Sequence, residues 1–172
     1  MKTTPLESDS PAPAGRSLSD AAAVAWASCL GAGHFPVASG TFGTLVALPF
    51  AYLLTLLPSR GLWALVVALY VAVTVWAAHR AGKRFGTADA RQIVADEWAG
   101  FFVAMLFVPW SWKTAVAGFF LFRLFDVLKP WPANYFDRRV QNGFGVTFDD
   151  VAAGAWTRLA LEILSRAGLL GA

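Results

Sequence analysis

The chain has a single cysteine, Cys29, among its 172 residues. An internal disulfide and a cysteine-built zinc cluster are therefore excluded. Histidine is nearly as scarce, with only His34 and His79. Two histidines without suitable partners exclude the histidine-dependent lipid phosphatase pattern. Charge is low too: Asp, Glu, Lys and Arg make up 15% of the chain, against about 25% in ordinary soluble domains. No G-x-x-x-x-G-K-[ST] loop occurs, so a nucleotide is not an expected ligand. No D-x-D motif is present for a haloacid dehalogenase type of aspartyl-phosphate chemistry. Phe35 stands where a Cys-x5-Arg phosphatase would need arginine after Cys29.

What the chain has in abundance is apolar sequence. Hydrophobic residues reach 57% and mean hydropathy is +0.54. That balance excludes a disordered chain and predicts a small all-α polytopic membrane bundle, with about four to five embedded helices. Fourteen basic against 11 acidic residues leave a net charge of +3. The basic residues are scattered, which suits anionic lipid or phosphate better than nucleic acid.

Residues 1–20 stand apart, with Pro5, Pro11, Pro13, hydroxyl residues and charges of both signs. They read as a disordered tail. Residues 21–172 read as one membrane-embedded domain, and no secretory signal is expected. Residues 21–30 are apolar but too short to span. Longer apolar stretches follow at 42–57, 61–78, 98–110 and 114–128, and a last helical segment is expected over 151–172. In that segment Arg158, Glu162 and Arg166 share one helical face and can pair. Trp63, Trp76, Trp98, Trp110 and Trp112 lie near stretch ends, as an interfacial aromatic belt would. Loops 79–97 and 129–150 hold most of the basic residues outside the tail, while the opposite loops hold only Arg60 and Lys113. The positive-inside rule places 79–97 and 129–150 in the cytoplasm.

This topology collects the polar motifs. Beyond residue 20 there are eight acidic residues, and five fall in three places: Asp96–Glu97, Asp126 and Asp149–Asp150. Alternating spans bring all three to one membrane face, together with the turn 33–44. Clustered carboxylates repel unless a cation lies between them. Oxygen-only ligands suit a hard cation such as Mg²⁺ held with water and substrate phosphate. Each acidic pair taken alone is equally compatible with N-capping and helix-dipole placement. Arg123, Asp126 and Lys129 occupy one arc of a helix, where they form either an ion-pair ladder or a phosphate-binding set. Pro130 and Pro132 stop that helix. Ser39, Gly40, Thr41, Gly43 and Thr44 lie at a helix start whose amides can hold an anion or simply be capped.

Four motifs, in order, resemble a known family. They are Phe35-Pro36-Val37-Ala38-Ser39-Gly40-Thr41-Phe42-Gly43-Thr44, Asp96-Glu97-Trp98-Ala99-Gly100, Phe122-Arg123-Leu124-Phe125-Asp126-Val127-Leu128-Lys129-Pro130-Trp131-Pro132, and Gly143-Phe144-Gly145-Val146-Thr147-Phe148-Asp149-Asp150-Val151-Ala152-Ala153-Gly154. Over about residues 30–156 the chain resembles the bacterial phosphatidylglycerophosphatase A family. The resemblance implies a Mg²⁺-dependent inner-membrane enzyme with its active site facing the cytoplasm. Its substrate would be the anionic phospholipid phosphatidylglycerophosphate, hydrolysed to phosphatidylglycerol and phosphate. Asp96, Glu97, Asp126, Asp149 and Asp150 are expected to form the metal shell, with Asp126, Asp149 and Asp150 also orienting or deprotonating water. Arg123, Lys129 and the Gly40–Thr41 amides are expected to bind phosphate. Two departures are visible: Ser39 replaces a common proline, and Asn142 stands where a Gly-Gly pair is usual. Asn142 is expected to supply the left-handed turn that glycine would. The rival reading is a non-enzymatic ion carrier or scaffold using the same acids. A carrier needs acids near mid-span, whereas here they gather at helix ends.

Overall fold

The computed structural model describes residues 17–170, and every regular element among them is helical. In chain order these are α1 (Leu18–Ala27), a 3-10 turn at Ala32–His34, α2 (Ser39–Thr55), α3 (Arg60–Phe85), α4 (Ala95–Ala104), α5 (Trp112–Leu128), α6 (Ala133–Arg139) and α7 (Gly143–Arg166). Residues 1–16 of the expected tail lie outside the described residues. Its last residues do not form a tail: Ser17 caps α1, and Asp20 in the first turn pairs with Arg80 at 2.7 Å.

Local chemistry sets most boundaries. Ser59 caps α3 by accepting from the Leu62 amide, and Gly86 ends it in the left-handed conformation at φ 79°. Ser111 and Thr114 form a reciprocal capping box at the start of α5. Asn142 caps α7, its side chain accepting from the amides of Phe144 and Gly145. The expected left-handed turn at Asn142 is therefore corrected. Its φ is −156°, extended, and it acts through its side-chain oxygen rather than its backbone freedom.

Helix lengths depart from the apolar runs. α3 continues seven residues past the predicted span, because Arg80, Lys83 and Arg84 sit comfortably in its final turns. The predicted span at 98–110 is instead the ten-residue α4, about 15 Å long, followed by irregular chain that includes Phe107 at φ 61°. The last helix starts at Gly143 rather than near 151. Arg158 does pair with Glu162 at 3.0 Å and Arg166 with Glu162 at 2.8 Å, as their spacing requires.

Small residues make the contacts between helices. α7 packs against α4 most extensively and also against α3, α5 and α6. Ala47, Ala51, Ala77, Ala78, Ala81, Ala99, Ala104, Ala152 and Ala153 are buried, as are Thr44, Thr74, Thr147 and Thr157. The buried threonines of α2 and α7 return their hydroxyls to the carbonyl four residues back, so they cost no unpaired polar group. Many large side chains point outward instead: Leu65, Leu69, Phe120, Leu159 and Ile163 are all at least half exposed. Small-inside, large-outside is the pattern expected of helices that meet apolar surroundings. α3 alone among the described helices is long and apolar enough to cross a membrane, and only 28% of its most apolar stretch is buried. The tryptophan belt is only partial: Trp63 and Trp98 are buried in the core, while Trp76 and Trp112 are exposed.

Candidate functional site

The site is built where α4 crosses α7. A Cβ on Gly100 would lie 2.7 Å from the Asp150 carbonyl carbon, and one on Gly154 would lie 2.9 Å from the Gly100 carbonyl carbon. Only hydrogen at these two positions lets the backbones approach this closely. One turn before Gly100, Asp96 and Glu97 open α4 and face Asp150 on α7. Asp96, Glu97 and Asp150 each present a carboxylate oxygen, and those three oxygens lie within 4.8 Å of one another. Asp96 and Asp150 are 5% exposed, so bulk water does little to separate their charges.

The helix-capping alternative fails for α7. Asp149 and Asp150 sit in its second turn, behind the Asn142 cap. Asp96 and Glu97 do occupy the first turn of α4, and Asp96 Oδ1 accepts from the Glu97 amide at 3.1 Å. Glu97 Oε2 and Asp150 Oδ1, however, are buried and accept no hydrogen bond. Capping leaves those oxygens unexplained, since a buried carboxylate oxygen without a donor costs about 1–3 kcal/mol or more. A divalent cation fits the set: three oxygen donors, hard chemistry, and lone pairs that no protein donor uses.

The two expected basic residues are held by carboxylates. Arg123 forms an ion pair with Asp126 Oδ2 at 2.7 Å within α5, although its buried Nη1 is not aligned to donate a hydrogen bond. Lys129 ends α5 in the left-handed conformation, φ 45°, ahead of Pro130. That backbone turn carries its ammonium to Asp137 Oδ1 at 2.6 Å and to Asp149 Oδ2. Burial works against the charged lysine, but the ion pairs with Asp137 and Asp149 outweigh it and hold its pKa above the ordinary lysine range. Lys129 joins α5, α6 and α7 rather than pairing with Asp126 as a simple helical ladder would.

A cavity of about 140 Å³ opens here, with polar walls formed by Ser39, Asp89, Arg91, Asp96, Glu97, Asp126, Lys129, Asp149 and Asp150. All five sequence-predicted acids and Lys129 therefore come together. Gly40 lies against the same wall: a Cβ there would collide with Glu97 Oε1 and come within 3.4 Å of Arg123 Nη1. Arg123 stands behind the cavity and touches it through Asp126. Thr41 is exposed and is not part of the wall. The α2 start is fixed over the cavity by crossed bonds between loops. Ser39 Oγ donates to the Arg91 carbonyl at 2.7 Å, and Arg91 donates to the Pro36 carbonyl at 3.0 Å. Ser39, where proline is common, thus makes a bond that proline cannot.

Three wall or support residues were not singled out as site residues from the sequence: Asp89, Arg91 and Asp137. The usable signal was scarcity. Of the eight acids beyond residue 20, only Asp89, Asp137 and Glu162 stood outside the five nominated ones. Two of those three belong here. Arg91 read as one more basic loop residue and carried no distinguishing spacing.

Comparison with known proteins assigns the chain to a family. The sequence profile of the family described as Phosphatidylglycerophosphatase A matches residues 25–165. A Phosphatidylglycerophosphatase A of Escherichia coli K12 is 42% identical over 125 residues, covering 72% of each chain. One from Haemophilus influenzae is 35% identical over 127 residues, covering 73% of this chain and 78% of the relative. A Bacteroides thetaiotaomicron protein, provisionally named a phosphatidylinositol-3-phosphatase, is 35% identical over 144 residues, covering 77% and 87%. No solved structure matches the chain. The matched region contains every acid of the cavity and both helices that cross to form it, and the chain is a phosphatase that belongs to the phosphatidylglycerophosphatase A family.

Proposed function

We propose that the protein hydrolyses the terminal phosphate of phosphatidylglycerophosphate in a Mg²⁺-dependent reaction at the cytoplasmic leaflet of a bacterial inner membrane. The observation that carries this reading is the trio of buried Asp96 and Asp150 with half-buried Glu97, with two carboxylate oxygens left without donors beside a cavity the size of a small polar group. Those three residues would hold the cation. When bound, Mg²⁺ supplies charge neutralisation to a phosphoryl group and its attacking water.

The remaining residues divide the other work. Asp149 is committed: Oδ2 takes the Lys129 ammonium and Oδ1 accepts from the Asp150 amide at 2.9 Å. It positions Asp150 through that bond. Asp126 pairs through Oδ2 with Arg123, lines the cavity and is held by no other ion pair among the described residues. Asp126 therefore orients the attacking water and receives its proton. The water oxygen bonds to phosphorus, the ester P–O bond breaks, the leaving glycerol oxygen takes a proton from solvent, and Asp126 returns its proton to solvent. Arg91 at the mouth and the Lys129 ammonium in the wall offset phosphate charge.

The outward-facing large apolar side chains and the mostly unburied α3 support a membrane setting. The acids gather at one end of the helices, as an interfacial enzyme needs and a mid-membrane carrier does not. Purified protein in detergent micelles should release phosphate from phosphatidylglycerophosphate with Mg²⁺ present and stop in excess chelator. No release with Mg²⁺, from folded protein, would refute the proposal.

A further inference from the structure

A second cavity of about 370 Å³ lies beside the acid-lined one, and its polar walls are Asp89, Asp137, Arg138, Gln141 and Asp149. The two cavities share Asp89, Val146 and Asp149 and therefore lie side by side, with those side chains between them. A cavity of about 150 Å³ accommodates a group the size of benzene. The first cavity thus takes one phosphoryl-sized group, and the second takes something more than twice as large.

The charges in the second cavity are unevenly committed. Asp137 and Asp149 are both held by Lys129. Arg138 is exposed and makes neither an ion pair nor a side-chain hydrogen bond among the described residues. It is the cation of this cavity, and its guanidinium is free. Asp89 forms no ion pair among the described residues either, and it stands at the junction of the two cavities.

The headgroup of the substrate proposed above has the same order of groups. A phosphomonoester is joined through glycerol, with one free hydroxyl, to a phosphodiester that carries the lipid. With the monoester in the first cavity, the hydroxyl falls at the junction and the diester falls in the second. We infer that the second cavity is the leaving-group subsite, in which Arg138 pairs with the lipid phosphodiester and Asp89 accepts from the glycerol hydroxyl. Guanidinium matches a phosphodiester through paired N–H donors. A carboxylate accepts from a hydroxyl but repels a second phosphate, which keeps the diester out of the first cavity. Arg138 and Asp89 then act on specificity: they favour a lipid with two phosphates spaced by a glycerol over one whose monoester is attached directly to diacylglycerol.

This inference rests on the proposed substrate, and the test separates the two. Steady-state phosphate release is measured on the full chain in mixed micelles, with phosphatidylglycerophosphate and with phosphatidate, and with phosphatidylglycerol added as product inhibitor. In Arg138→Gln, KM for phosphatidylglycerophosphate should rise about tenfold or more, the loss of one charge-assisted hydrogen bond. Inhibition by phosphatidylglycerol should weaken by a similar factor, and the preference for phosphatidylglycerophosphate over phosphatidate should fall with it. Arg138→Lys should restore part of the loss. A variant with wild-type KM and wild-type product inhibition, or one that loses both lipids equally, would overturn the subsite. Failure of the wild-type chain to release phosphate at all would instead overturn the substrate reading and the subsite with it.

Discussion

Replacing Gly100 with alanine tests whether the helix crossing creates the site. The added Cβ would lie 2.7 Å from the Asp150 carbonyl carbon and 2.7 Å from Phe122 Cε2, where ordinary contact begins at 3.4 Å. The helices must part by 3.4 − 2.7 = 0.7 Å or more, and neither obstacle is the free end of a flexible side chain. Phe122 is fully buried and cannot swing away. Overpacking of this kind costs about 1–3 kcal/mol. The separation acts directly on the carboxylates, because Asp150 is itself the residue pushed and Asp96 lies one turn along α4. A displacement near 1 Å at a catalytic constellation costs on the order of a hundredfold in rate. Gly61→Ala is the control: its Cβ would meet nothing closer than Ser59 Oγ at 4.0 Å. Phosphate release and thermal unfolding in detergent are measured for both. Gly100→Ala should lose about a hundredfold in kcat while remaining folded, and Gly61→Ala should match wild type. Full activity in Gly100→Ala would show that the close crossing does not set the acid geometry.

Asp126→Asn should lower kcat of the folded protein by at least about a hundredfold, since the amide keeps the volume but cannot take the proton, and it should also lower the unfolding temperature, since Arg123 loses its charged partner. Normal turnover would remove Asp126 from the reaction. Lys129→Met should destabilise the fold by on the order of 3 kcal/mol, because Asp149, 9% exposed at its side chain, loses its partner. A Lys129→Met protein as stable as wild type would show that the link between α5, α6 and α7 is dispensable. Cysteine probes introduced at 87 and 141 should be labelled from the cytoplasmic side, and one at 113 from the opposite side. Labelling of 87 and 141 from different sides would break the single-face arrangement.

The all-helical class and the meeting of the acidic motifs were legible because both rest on alternation. Apolar runs separated by charged turns are read as alternating in direction, and that reading puts Asp96, Asp126 and Asp149 at one end. The length of α4 was not legible. Residues 105–110 are mostly apolar but include Pro109, which disfavours helix at Val108; α4 already stops at Ala104 and Phe107 turns left-handed at φ 61°, an earlier stop that the apolar run does not signal. The partner of Lys129 was also hidden. Helical spacing pairs it with Asp126, but its left-handed backbone redirects the side chain across to α6 and α7. Trp63 and Trp98 misled because a tryptophan near the end of an apolar run serves equally as belt or core. Asp89, Arg91 and Arg138 lie in loops or a short helix with no periodicity to interpret, and only the closed tertiary structure puts them on cavity walls.

The central claim is that Asp96, Glu97 and Asp150 hold one divalent cation. Mn²⁺, a spectroscopically visible stand-in for Mg²⁺, measures this directly by electron paramagnetic resonance of the purified chain in detergent. The wild-type protein should bind one equivalent of Mn²⁺ that Mg²⁺ displaces, and Glu97→Gln/Asp150→Asn should bind none at the same concentration. Equal Mn²⁺ binding by wild type and the double variant, or none by a wild-type preparation that is turning over lipid, would contradict it.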